Sequence, residues 1–436
     1  MAKQGCPHIR DLQIVPGAYM NRAVMTHSQA AGIKECIASL MAYCGKNGWA
    51  GFDPYDALNS TVLDRGPFGK SRVFRIAMTQ IMKRLPFNLR PLLLVSREQN
   101  PKAIALFLMA FLKLSKLGLL DRDDLVESMV ERLVALRSPH TSYWCWGYSF
   151  PWQTRTLLVP RWSPNLVCTS FVANALLDVY DLKQEPRYLS MAISAGEYIL
   201  NDLYWTENDT AVGFCYPFPG LRSRVHNANF LGAALLCRLY KHCGEKRFLD
   251  VGLKVARYSA GKQHENGSWR YSEIPKYTWI DNFHTGYNLC ALRSICEYVG
   301  TSEFESHIRR GFQFYQHTFF TKDNAPRYFD NNSYPIDIHN VAQSIITLLT
   351  LKDYGEGSPG LALSVFDWSR THMWDSQGYF YYQVLPFWTN KISYMRWSQA
   401  WMLLALARLL EHCDQAEVRR GEGPVANRHS LHEARV

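Results

Sequence analysis

The chain has 436 residues, a formal net charge of +10, 47% hydrophobic residues and 14% aromatic ones, an apolar share ample for a large core. Its 11 cysteines are odd in number and scattered without ligand-like spacing, which excludes a zinc pattern and points to a reducing, cytoplasmic compartment. The start, M-A-K-Q-G-C-P-H-I-R, lacks a signal peptide's apolar run, and no 18-residue charge-free apolar stretch offers a membrane span.

After an extension over residues 1–25, Ser28–Cys44 reads as the first amphipathic helix. The following loop, G-W-A-G-F-D-P-Y-D-A-L-N-S, carries Asp53, Tyr55 and Asp56 around a proline turn. They are candidates for substrate binding or for local turn chemistry. Residues 61–97 form a basic insertion in which Ser71–Leu85 sets Val73, Phe74, Ala77, Met78, Ile81, Met82 and Leu85 on one stripe and Arg72, Arg75, Lys83 and Arg84 on another. Such a helix suits an anionic membrane surface, or a connector packed on the main fold with its charges solvated. No recognition motif accompanies the charge, so no nucleic acid is expected.

Pro101–Leu117 is apolar all round and reads as buried; Asp123–Leu136 is again amphipathic. Tyr143–Trp152, Y-W-C-W-G-Y-S-F-P-W, is the densest aromatic cluster, and Trp144 and Trp146 are candidate platforms for a sugar ring. From here polar clusters, each opening a nearly all-apolar helix, begin at Pro164, His226, Asp281, Asp337 and Met395, at intervals of 62, 55, 56 and 58 residues. Such a period marks a repeated supersecondary unit. Amphipathic helices at Glu185–Leu203, Lys246–Lys262, Ser302–Phe319 and Leu361–Met373 fill the spaces, and aromatic runs at Gly213–Tyr216, Gly267–Tyr271, Pro326–Phe329 and Gly378–Tyr382, three of them led by Gly, read as short hairpins. Gln415–Val436 is a polar tail, disordered by composition.

Six outer and six inner helices predict an all-α fold, an (α/α)6 toroid of six helical hairpins over residues 26–413, with short β-hairpin loops at the mouth. Ser28–Cys44 is assigned as outer partner of the Pro101 helix, and Asp123–Leu136 of the Pro164 helix. An open solenoid is the alternative. Closure gathers the inner helices' polar ends at the mouth. Asp281 and Asp337 belong to adjacent inner helices, at the spacing on the order of 10 Å of packed helices, and read as a carboxylate pair able to flank a glycosidic bond. His226, His284 and His339 add bases for a proton alpha to a uronate carboxylate, and Arg396 a group to hold that carboxylate. Asn227, Asn282, Asn340, Trp269, Glu273 and Trp397 complete the binding candidates. No cofactor and no metal is expected. Against this stands simple capping, since Asp and Asn favour helix N-termini. Asp121–Asp124, D-R-D-D, and Gln263–Trp269, Q-H-E-N-G-S-W, also fit terpenoid cyclase motifs, a minor alternative.

The combination G-F-D-P-Y-D-A-L-N-S, N-L-R-P-L-L, N-P-K-A-I-A-L-F-L, V-H-N-A-N-F-L-G-A-A-L-L and I-D-N-F-H-T-G-Y resembles the VpsJ-like polysaccharide biosynthesis proteins of bacterial exopolysaccharide and capsule loci. The resemblance spans about residues 25–412. More distantly the chain is similar to six-hairpin glycosidases, uronyl hydrolases, polysaccharide lyases and the helical domain of glucuronyl C5-epimerases. It implies a role in cell-surface polysaccharide production; the basic charge adds the expectation of an acidic or lipid-linked oligosaccharide as partner, and Ser71–Leu85 that of a peripheral location at the inner face of the membrane. A non-catalytic glycan-binding or scaffold subunit is the alternative.

Overall fold

The computed structural model describes residues 27–65, 71–120, 123–207 and 211–421. The predicted 1–25 extension, Asp121 of D-R-D-D and the tail beyond 421 lie outside them.

Fourteen α-helices occur among the described residues: α1 (His27–Lys46), α2 (Thr61–Arg65), α3 (Arg72–Arg84), α4 (Pro101–Lys116), α5 (Asp123–Ala135), α6 (Leu166–Lys183), α7 (Pro186–Tyr198), α8 (His226–Cys243), α9 (Lys246–Ala260), α10 (Asn282–Val299), α11 (Glu305–Thr318), α12 (Ile338–Thr350), α13 (Ser358–Met373) and α14 (Trp401–Gly421). The inner helices start where the polar clusters stand because those residues cap them. Asn100, Asn165, Asp281 and Asp337 each accept a backbone N–H of the first turn through the side chain. Several end in a left-handed residue, Gly244 at φ 72° and Gly300 at φ 67° among them, where glycine avoids a Cβ penalty.

Helices α4, α6, α8, α10, α12 and α14 pack each on the next, and α14 returns onto α4. The ring is closed, which excludes the open solenoid. Outer helices turn one apolar face inward; on α9 the buried set is Phe248, Gly252, Val255, Ala256, Ser259 and Ala260, spaced at helical period. The hairpin assignment needs correction. Helix α5 packs on α4, α7 on α6, α9 on α8, α11 on α10, α13 on α12, and α1 on α14. Each inner helix thus pairs with the outer helix after it, and the first outer helix seals against the last inner one. The long 47–100 segment lets α1 dock away from α4.

The loops at the inner helices' N-terminal end form small antiparallel pairs. Trp152–Gln153 pairs with Leu158–Val159, Tyr204–Glu207 with Ala211–Phe214, and Trp374–Asp375 with Tyr379–Phe380; Gln383–Val384 lies between Ile336–Asp337 and Thr389–Asn390. The aromatic runs at 267–271 and 326–329 make only turns and isolated bridges. At the other end of the chain, α14 runs to Gly421, through the first residues assigned by sequence to the tail.

Candidate functional site

The capped ends of the inner helices and the aromatic loops enclose a mouth cavity of about 540 Å³, a size suited to a small ligand. From the helices it is lined by Lys102 (α4), Asn227 (α8), Asp281 at the cap of α10 with Phe283, His284 and Tyr287, and His339 (α12). Arg396 and Trp397 come from the π-helical turn Met395–Ala400 before α14. Tyr148, Trp152, Tyr216, Tyr271, Trp279 and Tyr328 wall it from the loops, while Tyr55 and, from α3, Gln80 and Lys83 close one side. A second cavity of about 370 Å³ occupies the opposite end of the ring and is lined by Phe171, Tyr287 and Trp401 among others. Those three rings pack on one another and separate the two spaces.

His284 and Asp281 form a dyad. His284 sits at the third position of α10, so the Asp281 carboxylate that caps the helix also reaches the ring: Oδ1 accepts from the His284 backbone N–H at 2.9 Å, and Oδ2 lies 2.7 Å from Nδ1. Trp279 Nε1 donates to the same Oδ2 at 2.9 Å. With Asp281 taking Nδ1–H, Nε2 keeps its lone pair and the ring is set up as a base. The His284 side chain is 19% exposed and that of Asp281 1%. Tyr271 stacks on Trp279 and packs on the His284 ring. One turn further along α10, Tyr287 Oη lies 2.6 Å from Nε2 of His339 on the neighbouring α12. Burial and the nearby Lys102 and Arg396 charges hold His339 well below the usual histidine range, so it stays neutral. Burial raises Tyr287 well above its ordinary value.

Arg396 is buried and already engaged, with Nε 2.6 Å and Nη2 2.8 Å from the two Asp53 oxygens. Its guanidinium also lies over the Tyr148 ring at 4.8 Å. Asp53 is therefore its counter-ion behind the cavity wall, not a direct ligand contact. Asp56 is likewise structural: it pairs with buried Arg90 at 2.6 Å, and burial pushes its carboxyl up to about 6 despite that partner.

Asp337 stands apart from the cavity, fully buried. It accepts from the His339 backbone N–H at 2.8 Å, Trp397 Nε1 at 2.8 Å and Gln383 Nε2 at 2.6 Å, and burial raises its carboxyl to about 6. It is a helix cap and a clamp on the 383–397 loop, so Asp281 is the single carboxylate among the cavity-lining residues. The sequence-based carboxylate pair does not assemble there. His226 also turns away, its Nδ1 3.3 Å from Ser259 Oγ and its titration lowered by burial to about 4. Asn282 takes the Tyr315 and Ser344 hydroxyls, Asn340 donates to the Arg327 carbonyl, and Glu273 accepts from Tyr258 and pairs with Lys262. Trp146 and Trp269 are core residues whose indole N–H groups serve the Leu133 and Ser259 carbonyls. Trp144 packs on Trp146 with Arg137 over its ring. The aromatic loop reaches the cavity through Tyr148 and Trp152 instead. Asp124 is exposed at the start of outer helix α5, which removes the terpenoid cyclase reading.

Of the cavity's tyrosines sequence reasoning named Tyr55 alone, and it missed Lys102. The N-P-K that opens α4 sets a charge at the start of a helix whose other lysines, Lys113 and Lys116, stand in its last turn, and that was the available signal. No group of three or more His, Cys, Asp or Glu able to hold a metal occurs among the described residues.

No family model and no curated protein matches the sequence. The fold is shared with solved structures. A cellobiose 2-epimerase from Bacillus thermoamylovorans aligns at 10% identity over 89% of this chain and 100% of that one, TM-score 0.60. A family 76 glycoside hydrolase (mannosidase) from Bacteroides thetaiotaomicron aligns at 11% over 89% and 100%, TM-score 0.56, and a polysaccharide lyase at 11% over 89% and 98%, TM-score 0.54. The chain has the (α/α)6 toroid fold that these structures share.

Proposed function

We propose that the protein is a sugar-active enzyme of polysaccharide production that takes a proton from the carbon beside the carboxylate of an acidic glycan held in the mouth cavity. The observation that carries this reading is the His284–Asp281 dyad, a base oriented at 2.7 Å in an aromatic-walled cavity with no second carboxylate in its lining. A two-carboxylate hydrolysis needs both acids at the scissile bond; abstraction needs one oriented base and cations for the charge that develops on the substrate. His284 Nε2 would take the proton, Asp281 would stabilise the imidazolium, and the lining cations would stabilise the charged intermediate. Return of a proton gives an epimer, and loss of the neighbouring oxygen substituent gives an unsaturated uronate. The motifs that resemble those of exopolysaccharide-locus proteins, and a fold shared with a cellobiose 2-epimerase, a mannosidase and a polysaccharide lyase, support a glycan as substrate. The test is incubation with uronate-containing oligosaccharides, read by NMR for epimer or unsaturated product. Turnover by the protein and its loss in His284→Gln is the expected result; unchanged turnover in the variant would remove the dyad from the mechanism.

A second reading, a non-catalytic glycan-binding or scaffold subunit of a polysaccharide assembly, is favoured by the full hydrogen bonding of the Asp281 and Asp337 oxygens. It predicts saccharide binding that survives His284→Gln with no turnover in either protein.

The same account has the protein working in the cytoplasm on a lipid-linked glycan at the inner face of the membrane. Its support is α3, which turns Gln80 and Lys83 to the cavity and leaves Val73 72% and Ile81 46% exposed beside exposed Arg72 and Arg84. No helix among the described residues is long and apolar enough to cross a membrane.

A further inference from the structure

Lys102 is a buried cation whose neighbours are rings. It stands two residues after the Asn100 cap of α4 and is 3% exposed. Its Nζ lies 4.2 Å from the Phe171 ring centre, 5.1 Å from Trp401 and 5.5 Å from Tyr287. These rings divide the two cavities, and Lys102 is on the mouth side of them, in the lining with His284 and Arg396.

A fold has no need of a charge here. A methionine would pack on the same three rings without the cost of desolvating an unpaired ammonium. The first turn of a helix is also the end that repels cations. Ring faces attract an ammonium only modestly, and among the described residues no carboxylate lies within ion-pair distance of Nζ. The charged and titratable groups acting on it are Arg396, itself cationic, Asp53, which Arg396 already holds in both oxygens, and Cys168; Tyr287 and neutral His339 border the same space. Burial and Arg396 together hold the amine well below the usual lysine range.

The remaining cavity charges point the same way. Lys83 donates to Tyr55 Oη and Arg155 to the Lys276 carbonyl, so neither is neutralised by an acid. The one lining carboxylate, Asp281, is taken up by His284 and Trp279. The Asn227 Oδ1 atom, buried and without a hydrogen-bond partner, adds an acceptor suited to a sugar hydroxyl.

We propose that Lys102 is the anion-recognition residue of the cavity, and that its ligand is the carboxylate of a uronosyl unit, seated above the Phe171–Tyr287–Trp401 floor with the hydroxyls turned to Asn227 and the aromatic walls. The inference rests on the reading of the cavity as a glycan site and names the charged group that the glycan presents. It assigns Lys102 the role that sequence reasoning gave to Arg396, whose fork is occupied by Asp53.

The test is calorimetric binding of glucuronate, galacturonate and mannuronate, each against its parent hexose, to the full chain. For at least one pair the uronate should bind tenfold or more tightly than the hexose. Lys102→Met should abolish that preference while hexose affinity stays within about twofold, and Lys102→Arg should retain part of it. The His284→Gln variant should keep the preference intact, so a failure of the proton-abstraction chemistry and a failure of this assignment give different results. Below the amine's titration Lys102→Met should also melt above the wild type, because a buried ammonium is lost there. Measured in the wild type alone, uronate binding should draw in a proton above the free amine's titration and weaken as pH rises further. Equal affinity for uronate and hexose in every pair, a preference unchanged in Lys102→Met, or binding with no proton uptake at any pH overturns the proposal.

Discussion

Asp281 has two duties that a single substitution can separate. Asparagine caps a helix about as well as aspartate, so Asp281→Asn should leave α10 in place. It sets an amide N–H₂ where Trp279 and His284 both offer donors at Oδ2, which forces the imidazole from its base tautomer. A fall in kcat of about 10²-fold or more with a melting temperature close to wild type is expected; Asp281→Ala should lose the cap as well, about 1 kcal/mol more. His226 offers a pH test. Its folded titration lies at about 4 against an ordinary value of about 6.5, so between these values the unfolded chain binds the extra proton. Stability should therefore fall as pH drops from about 6.5 toward 4, with neutral His339 acting in the same direction. Denaturant melts of His226→Gln should show a shallower acid limb; an identical limb would exclude His226 as a contributor. The sequence showed both aspartates as helix openers, yet their fates hang on one residue of spacing. In D-N-F-H the histidine falls three places after the cap and its ring meets the carboxylate. In D-I-H-N it falls two places after, and its ring turns to Tyr287 instead. Capping and site chemistry use the same residue types, so composition at a helix start does not separate them.

Among the elements, α3 is the one whose apolar stripe the fold divides between an inward and an outward face. The apolar stripe was visible as a helical pattern, and Met82 is buried on it, but Thr79 takes an inward place while Val73, Ala77 and Ile81 face outward. What lies beneath α3 decides this, namely the Ala57–Met82–Val95 cluster and the Asp56–Arg90 pair. Val73→Ser with Ile81→Ser should change stability by no more than about 0.5 kcal/mol, as exposed positions do, and should reduce co-sedimentation with anionic vesicles but not the weak background on neutral ones. Equal sedimentation of variant and wild type would sink the membrane assignment. Arg90→Met should instead cost on the order of 3 kcal/mol in a chemical melt, since it strands a buried carboxylate; protonation of Asp56, raised to about 6, should lessen that loss at low pH.

For the whole molecule, the fixed period between polar clusters revealed the ring, because each inner helix must be apolar all round to sit between two neighbours and an outer helix. Pairing was not legible, since any amphipathic helix can cover any seam. Closure by α1 on α14 can be tested at Leu40, fully buried on α1. Leu40→Ala should cost about 2–5 kcal/mol in one cooperative transition; an early, separate loss of α1 would show that the ring holds without it. The central claim, that the closed ring assembles an oriented base beside a sugar, is tested most directly by deuterium wash-in. Uronate-containing oligosaccharides are incubated with the protein in D₂O, and the C5 proton signal is followed by NMR. The account predicts loss of that signal with wild type and its retention with His284→Gln; retention with wild type, or equal loss with both, would contradict it.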